Sequence, residues 1–239
     1  MNGIEAKGLH KTYNNQVALE EFSISVPVGT ITALLGPNGS GKTTFLKCLL
    51  GLIPFDQGEL KINEMSASLP HSRNGIAYLP EKFTFFMFET VRGTLQFFCE
   101  MRGVKKGEQE KAIEVAIKKL GIFEIIDKKL KNISKGQLQR VGLASLLIGS
   151  SKILLLDEPH SGLDPLAIKE MKDLLLELKS EGKTIFINSH LLNEMEQIAD
   201  YIAILNKGHM LVQGELKSVL NGQKLENLFY DIVTRSNHG

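Results

Sequence analysis

The stretch GPNGSGKTT, residues 36–44, decides the fold of this chain. Its first eight residues satisfy G-x-x-x-x-G-K-[ST], in which the glycines let backbone N–H groups turn inward around phosphate oxygens. Lys42 is expected to reach the β- and γ-phosphates, and Thr43 to offer its hydroxyl to Mg²⁺. The predicted phosphate cradle comprises Gly36, Pro37, Asn38, Gly39, Ser40, Gly41, Lys42, Thr43 and Thr44.

The segments on either side of this motif fit a strand and a helix. Before it, TITALLG (residues 30–36) is almost continuously apolar, as expected of a strand buried on both faces of a sheet. After it, TTFLKCLLGL (residues 43–52) carries apolar residues at helical spacing. A position between a buried strand and a helix favours a phosphate-binding loop over a simple glycine-rich turn.

A second set of candidate residues follows the apolar run ILLL at residues 153–156. This run predicts another buried strand and places Asp157 at its carboxyl end, where open parallel sheets bind ligands. An Asp in this position holds Mg²⁺ in proteins that carry the loop above. Glu158 follows, and its carboxylate can accept a proton from an attacking water. The alternative is a surface Asp-Glu pair before a turn at Pro159.

The rest of the chain divides into three parts. The first thirty residues read as short strands, GIEAKGLHK and ALEEFSISV, and the alternation of Phe22, Ile24 and Val26 suits a half-buried strand. Residues 84–150 carry apolar residues at three- and four-residue steps, which predicts a helical insert. Beyond it, strand and helix patterns alternate, which implies parallel strands joined by crossover helices.

Composition and charge restrict the function classes. The chain has 239 residues, 43% hydrophobic and 23% charged, and its net charge of +1 gives no electrostatic footprint for nucleic acid. The apolar runs fall short of the ~18 residues of a spanning helix, and the amino terminus lacks a signal-peptide core. Cys48 and Cys99 are expected to be buried thiols rather than a disulfide. We therefore expect a cytosolic protein.

One predicted helix begins with a positively charged residue, which is unfavourable at that end of a helix. In NISKGQLQRVGLASLL (residues 132–147), Ser134 and Gln137 form a Ser-x-x-Gln capping box. Lys135 places its charge against the positive end of the helix dipole, which costs about 0.3–1 kcal/mol. A bound anion would offset this cost, so the turn is either a plain cap or a cap that also binds phosphate.

With these motifs in this order, nearly the whole chain resembles the ATP-binding subunit of an exporter-type ABC transporter. The resemblance implies a single ABC ATPase domain over residues 1–239. It further implies an α/β fold: a P-loop NTPase core with a mostly parallel sheet, an N-terminal antiparallel β subdomain, and the inserted helical subdomain at about residues 84–150. The implied cofactors are ATP and Mg²⁺, and the implied activity is ATP hydrolysis coupled to transmembrane transport.

The capping-box turn is similar to the family's signature, usually written L-S-G-G-Q. Here it reads Ile133-Ser134-Lys135-Gly136-Gln137, so Lys135 stands in place of the first glycine. In the family, this half-site closes over ATP held by a second subunit, and two copies sandwich two nucleotides head to tail. The resemblance therefore assigns these residues, Ser134 above all, to phosphate binding in the dimer.

Three further positions match the family one by one. Tyr13, in KTYNN, matches the aromatic residue that stacks on adenine, with a core position as the alternative. SGLD, residues 161–164, resembles the loop that communicates across the dimer and supplies Asp164. His190, in NSHLL, matches the histidine that contacts the γ-phosphate, and with Glu158 it forms the implied catalytic pair.

The chain departs from the family pattern at Glu81, where Gln is usual. The surrounding sequence YLPE (residues 78–81) resembles exporter-type subunits, in which a carboxylate replaces the amide. Glu81 can still contact Mg²⁺ or a water, although it adds negative charge near a triphosphate. The implied metal ligands are Thr43, Glu81 and Asp157.

The segment EKFTFFMFETVRG, residues 81–93, is unusually apolar. Consecutive residues point different ways on a helix or a strand, so its apolar side chains cannot all face one interior. In the resembled family this segment forms the groove that receives a short cytoplasmic helix of the membrane subunit. The apolar residues are Phe83, Phe85, Phe86, Met87 and Phe88. The alternative for any one of them is packing inside the helical insert, and one or more of Phe85, Phe86 and Phe88 are predicted to contact the membrane subunit.

These resemblances favour an ATPase that pairs with a second copy of itself or a related subunit and drives a separate membrane-spanning partner. Export is favoured by the tail LENLFYDIV (residues 225–233), and the expected location is cytoplasmic, peripheral on the inner face of the cell membrane. The alternative is a soluble ABC ATPase that serves protein or iron–sulfur cluster assembly. A member that acts on nucleic acid is disfavoured, because such members fuse two ATPase units or add metal-binding inserts, and because the net charge is near zero.

Overall fold

The computed structural model describes residues 1–82 and 87–238. The strands in this part of the chain are β1 (Asn2–Tyr13), β2 (Gln16–Pro27), β3 (Ile31–Leu35), β4 (Gln57–Ile62), β5 (Met65–Ser66), β6 (Ile76–Leu79), β7 (Ile153–Asp157), β8 (Thr184–Ser189), β9 (Tyr201–Asn206) and β10 (His209–Glu215). The helices are α1 (Lys42–Leu49), α2 (Val91–Met101), α3 (Gln109–Leu120), α4 (Lys135–Leu147), α5 (Pro165–Ser180), α6 (Leu192–Ile198), α7 (Leu216–Leu220) and α8 (Leu225–His238). The chain forms two compact units, residues 1–74 with 178–239, and residues 75–177.

The first unit contains an antiparallel sheet in the order β2-β1-β4-β5. Its long hairpin turns at Asn14 and Asn15, whose φ angles of 45° and 67° suit a two-residue turn that matches strand twist. The alternation predicted for Phe22, Ile24 and Val26 is confirmed, since all three are buried. The prediction of short strands is wrong, because β1 and β2 have 12 residues each and bulges shift their register, which interrupts the alternating pattern.

The same unit also contains strands in the order β10-β9-β3-β8. β3 pairs in parallel with β8 and β9, whereas β10 runs antiparallel to β9. All five residues of β3 are buried, as the sequence predicts. The ring of Phe45 in α1 lies 4.7 Å from that of Phe22 and 5.6 Å from that of Phe186. These contacts fix the helix that follows the glycine loop against both sheets.

The second unit combines the parallel pair β6–β7 with helices α2, α3 and α4, which pack against one another. These helices confirm the helical pattern read within residues 84–150, and those bounds for the insert stay a prediction. Arg102 follows α2 and donates to the carbonyl oxygens of Ser145 and Ile148 at the end of α4. Burial lowers the pKa of Arg102 to about 10. The side chain therefore remains cationic at neutral pH, and its charge interacts favourably with the negative end of the α4 dipole.

The carboxyl-terminal part of the chain follows the predicted alternation through β7, α5, β8, α6 and β9. Cys48 and Cys99 are free and buried, as expected, and burial raises the pKa of the Cys48 thiol to about 11. Across residues 1–82 and 87–238, no helix has the length and apolarity to span a membrane.

Candidate functional site

The glycine loop joins β3 to α1 in the first unit. Gly39 and Gly41 have φ angles of +81° and +113°, which side-chain-bearing residues rarely adopt. A Cβ atom on Gly41 would collide with the carbonyl oxygen of Ala18, and one on Gly36 with that of Leu205. These positions therefore require glycine, as the motif predicts.

Two polar side chains of the loop are buried. Lys42 Nζ donates to the carbonyl oxygens of Gly36 and Pro37, at 2.7 and 3.1 Å. The hydroxyl of Ser40 has no hydrogen-bond partner among the described residues, and an unsatisfied buried group of this kind costs about 1–3 kcal/mol. Thr43 is exposed in the first turn of α1, where helix N–H groups attract anions. A triphosphate with Mg²⁺ fits this set, since its oxygens would accept a hydrogen bond from the buried Ser40 hydroxyl.

Two other predicted nucleotide contacts lie in the first unit. Tyr13 ends β1 and is 41% exposed, which suits a ring that stacks on a base and does not suit a core position. Ser189, the last residue of β8, lies opposite Leu35 of β3. His190 and Gly36 follow these two residues, so parallel pairing brings them to the same edge of the sheet.

The second unit has three carboxylates at or just after the carboxyl ends of β6 and β7, where Leu79 lies opposite Leu156. Asp157 is buried, whereas Glu81 is exposed. The Tyr78 hydroxyl hydrogen bonds to Asp157. Burial, together with the negative charges of Asp157 and Glu81, raises the pKa of Tyr78 to about 12. Tyr78 thus remains a donor at neutral pH, and such donors orient the carboxylates that hold metals.

Glu158 is buried and lies in the left-handed region, with φ of 48°. This conformation costs a non-glycine residue about 1–2 kcal/mol. Oε2 of Glu158 lies 3.0 Å from Nε2 of His160, which is buried as well. Stored strain of this kind is found at functional sites, so the geometry supports a chemical role for Glu158.

The turn before α4 has the predicted capping box. Ser134 Oγ accepts from the Gln137 N–H at 3.2 Å, and Gln137 Oε1 accepts from the Ser134 N–H at 3.0 Å. A cavity of about 270 Å³ is lined by Ser134, Gly136, Gln137 and Asp164, among others. The cap of the helix and the end of the SGLD loop therefore face one shared cavity within this unit.

Sequence reasoning missed three side chains around these groups, Tyr78, His160 and Gln139, and it did not foresee one contact of a predicted residue, Lys135. The end of the Lys135 side chain lies over Gly162, in the space that a Cβ atom at that position would occupy. Tyr78 and His160 contact Asp157 and Glu158, and Gln139 donates to the backbone beside Glu158. Tyr78 and His160 could have been noticed as polar neighbours of motif residues, whereas the Lys135 and Gln139 contacts join segments that are distant in sequence.

The predicted docking segment is only partly described. Phe88 is 74% exposed, and Lys131 Nζ lies 4.8 Å from the centre of its ring. Met87 is half-buried. The residues that lie outside the described part of the chain are Phe83, Phe85 and Phe86.

The fold and the glycine loop together define a P-loop NTPase, with mixed sheets and an antiparallel N-terminal sheet as predicted. Among solved structures, the ATP-binding subunit of an ABC transporter superposes with a TM-score of 0.87 at 28% identity, covering 96% of this chain and 98% of that one. The ADP conformation of MJ1267, an ATP-binding cassette of an ABC transporter, gives 0.81 at 26% identity, covering 96% and 99%.

Sequence comparison agrees with the structural likeness. The profile of the ABC transporter family matches residues 19–161. An ABC transporter ATP-binding protein of Synechocystis, sll0415, is 40% identical over 209 residues, which are 87% of this chain and 59% of that protein. The lantibiotic transport ATP-binding protein SrtF of Streptococcus pyogenes is 33% identical over 226 residues, 95% of each chain.

This chain belongs to the ATP-binding proteins of ABC transporters, a family of ATPases coupled to transport. It spans 59% of the length of the Synechocystis relative and 62% of a similar protein from Nostoc.

Proposed function

We propose that this chain hydrolyses ATP as a dimer that encloses two nucleotides and drives transport, with export favoured, through a separate membrane-spanning partner. The proposed dimer is supported by the capped start of α4, where a helix N-terminus favours an anion. Ser134 and Gly136 at this helix start line a cavity together with Asp164. Because the glycine loop already provides one phosphate cradle, this element suits the nucleotide of another subunit. The partner ATPase is a second copy of this chain or a related subunit.

In the proposed complex the first unit binds the nucleotide. Residues 36–44 surround the phosphates, and Lys42 exchanges its bonds to loop carbonyls for bonds to phosphate oxygens. Tyr13 stacks on adenine, and His190 contacts the γ-phosphate. Thr43, Asp157 and Glu81 would hold Mg²⁺, which would supply positive charge near the phosphates.

Glu158 is the proposed general base. As its carboxylate takes a proton from water, the water oxygen bonds to the γ-phosphorus. The bond between that phosphorus and the bridging oxygen breaks, which yields ADP and phosphate. Ser134, Lys135, Gly136 and Gln137 act on the nucleotide held by the other subunit.

We also propose a single ABC ATPase domain over residues 1–239 with the helical subdomain at about 84–150, located in the cytoplasm at the inner face of the membrane through its partner. Relatives of similar identity are named for a lantibiotic (SrtF) and for manganese (MntA of Synechocystis, 32% identical over 233 residues). We therefore assign the choice of cargo to the membrane partner, and we place its docking surface at residues 81–93.

The change Glu158→Gln tests this function. It removes the proposed base, so hydrolysis should slow by roughly 10²-fold or more while nucleotide still binds. Bound ATP is then not consumed, and it stabilises the dimer by mass action. Size-exclusion chromatography with ATP and Mg²⁺ should show a dimer that disappears when nucleotide is removed.

Lys42→Ala is the matched control, because it removes a charge from the phosphate cradle and leaves the carboxylates intact. This variant should bind ATP weakly and stay monomeric under the same conditions. A Glu158→Gln variant that hydrolyses ATP at the wild-type rate and elutes as a monomer would contradict the proposal.

A further inference from the structure

His160 contacts the side chain of Glu158 in a nearly closed environment. Nε2 of His160 and Oε2 of Glu158 are 3.0 Å apart, and the two side chains are 1% and 12% exposed. In a neutral imidazole one ring nitrogen donates and the other accepts, and a carboxylate accepts only. The contact therefore requires a proton on Nε2, which donates to Glu158.

The backbone between these two residues forms a tight turn. The carbonyl oxygen of Glu158 accepts from the Ser161 N–H at 3.0 Å, and Pro159 occupies the second position of the turn, where its fixed φ is favourable. A further bond of 3.1 Å runs from the Leu163 N–H to the His160 carbonyl oxygen. These two hydrogen bonds hold the main chain at His160.

The turn is also held from α4. Gln139 Nε2 donates to the carbonyl oxygen of Pro159 at 2.6 Å, and the Gln139 side chain is buried. The same helix begins at the capping box. It therefore has Ser134 at its start and, through Gln139, a hydrogen bond to the turn that contains Glu158. A shift of the turn would break a buried hydrogen bond, which makes the position of His160 costly to change.

A glutamate that acts as a base needs an orientation, because its three side-chain torsions are free in solution. Fixing such a side chain in one rotamer costs conformational entropy. A base that is held in place before water arrives avoids this cost at the moment of reaction. The left-handed backbone at Glu158 sets the direction of Cβ, and the His160 bond sets the direction of the carboxylate.

We infer that His160 is a positioning residue that holds the Glu158 carboxylate in the orientation from which it accepts the proton of water. This inference rests on the proposed function, since it gives Glu158 the role of base. A purely structural pair would stabilise the fold and leave turnover unchanged once the protein is folded.

Two substitutions at His160 separate these roles. His160→Phe keeps a flat ring of similar size and removes the donor, whereas His160→Gln places an amide N–H close to the position of Nε2. Loss of a partner that orients a metal ligand typically lowers activity 10–100-fold, and we expect an effect of similar size for a partner that orients the base. We expect His160→Phe to lower kcat by about 10-fold or more at an unchanged KM for ATP, and His160→Gln to restore most of the rate.

The same change in the Glu158→Gln background provides the decisive comparison. If His160 acts through the carboxylate, His160→Phe should not slow the residual hydrolysis of Glu158→Gln any further. Melting temperature is followed for each variant, and His160→Asn, whose amide cannot reach Oε2, replaces His160→Phe if that variant does not fold.

Three results would overturn the inference. These are a wild-type kcat for His160→Phe, equal losses of kcat for His160→Phe and His160→Gln, and a further loss of rate in the Glu158→Gln background. Failure of the proposed function has a different signature, because Glu158→Gln itself would then hydrolyse ATP normally.

Discussion

At the scale of single residues, the pKa of Tyr78 reports on the environment of the carboxylates, because Tyr78 hydrogen bonds to Asp157. The pKa of Tyr78 is raised from its ordinary value of 10.0 to about 12, first by burial and then by the charge of Asp157. Between these two values the folded protein keeps the phenol proton that the unfolded chain has lost. The stability associated with a protonated Tyr78 is therefore complete below pH 10 and is lost as the pH rises through 12.

We predict that Tyr78→Phe weakens this dependence on pH. Over the range from pH 10 to pH 12, wild-type protein should lose more stability than the variant, because only the wild type must ionise a buried phenol. Thermal unfolding of both proteins at matched pH values measures the difference. Parallel curves for the two proteins would show that Tyr78 ionises as an exposed tyrosine does.

At the scale of elements, the start of α4 and the loop at residues 161–164 are in direct contact through Lys135. The end of the lysine side chain, from Cδ to Nζ, occupies the space where a Cβ atom of Gly162 would stand, and the φ of +76° at Gly162 independently favours glycine. Long basic side chains commonly cover apolar or backbone surface with their methylene groups while the charge stays in solvent. Lys135 thus has two separable features, a stem that covers the loop and a charge beside a proposed phosphate site.

We predict that Lys135→Gly, which restores the glycine of the usual signature, exposes the loop and increases its amide hydrogen exchange. Loss of the covering stem should cost about 0.8 kcal/mol per methylene that was buried, so exchange should be several-fold faster. Lys135→Met is the matched control, because it keeps a stem of similar length without the charge.

The two Lys135 variants also separate the contributions to turnover. If the charge helps to bind phosphate, both variants should lose ATPase activity, whereas only Lys135→Gly should lose protection of residues 161–164. Equal exchange in wild type, Lys135→Gly and Lys135→Met would show that the stem does not hold the loop.

Features of the fold and the site that depend on neighbouring residues could be predicted from the sequence, whereas features that depend on residues far apart in the chain could not. The glycine loop, the buried β3 and the capping box of α4 are set within a few neighbouring residues, and all three were predicted correctly. The lengths of β1 and β2 were not, because bulges between paired strands break the alternation without leaving a local pattern. Contacts such as Gln139 with Pro159 join residues 20 apart, and their formation depends on packing that no local pattern describes.

At the scale of the whole molecule, Phe88 belongs to the described part of the proposed docking surface. An aromatic side chain that is 74% exposed contributes little to folding, and aromatic residues dominate the energies of interfaces. We predict that Phe88→Ser weakens assembly with the membrane partner by about tenfold, or roughly 1.4 kcal/mol, and leaves ATP binding by the isolated subunit unchanged. Co-purification in detergent at several concentrations measures assembly.

Tyr230→Ser is the control for this experiment. Tyr230 is aromatic and 70% exposed, but it lies on α8 in the other compact unit. The Tyr230→Ser variant should therefore assemble with the membrane partner as the wild type does. If Phe88→Ser and Tyr230→Ser behave alike, the docking surface does not include Phe88.

The left-handed backbone at Glu158 has an evolutionary consequence. Glycine or asparagine would occupy a φ of 48° with less strain, and either would also remove a buried carboxylate. A lineage selected only for resistance to heat would therefore tend to replace Glu158, gaining stability while losing the proposed base. Laboratory selections that score folding alone should enrich such inactive variants, so stabilising this protein without losing its activity requires a screen that reads turnover at the same time.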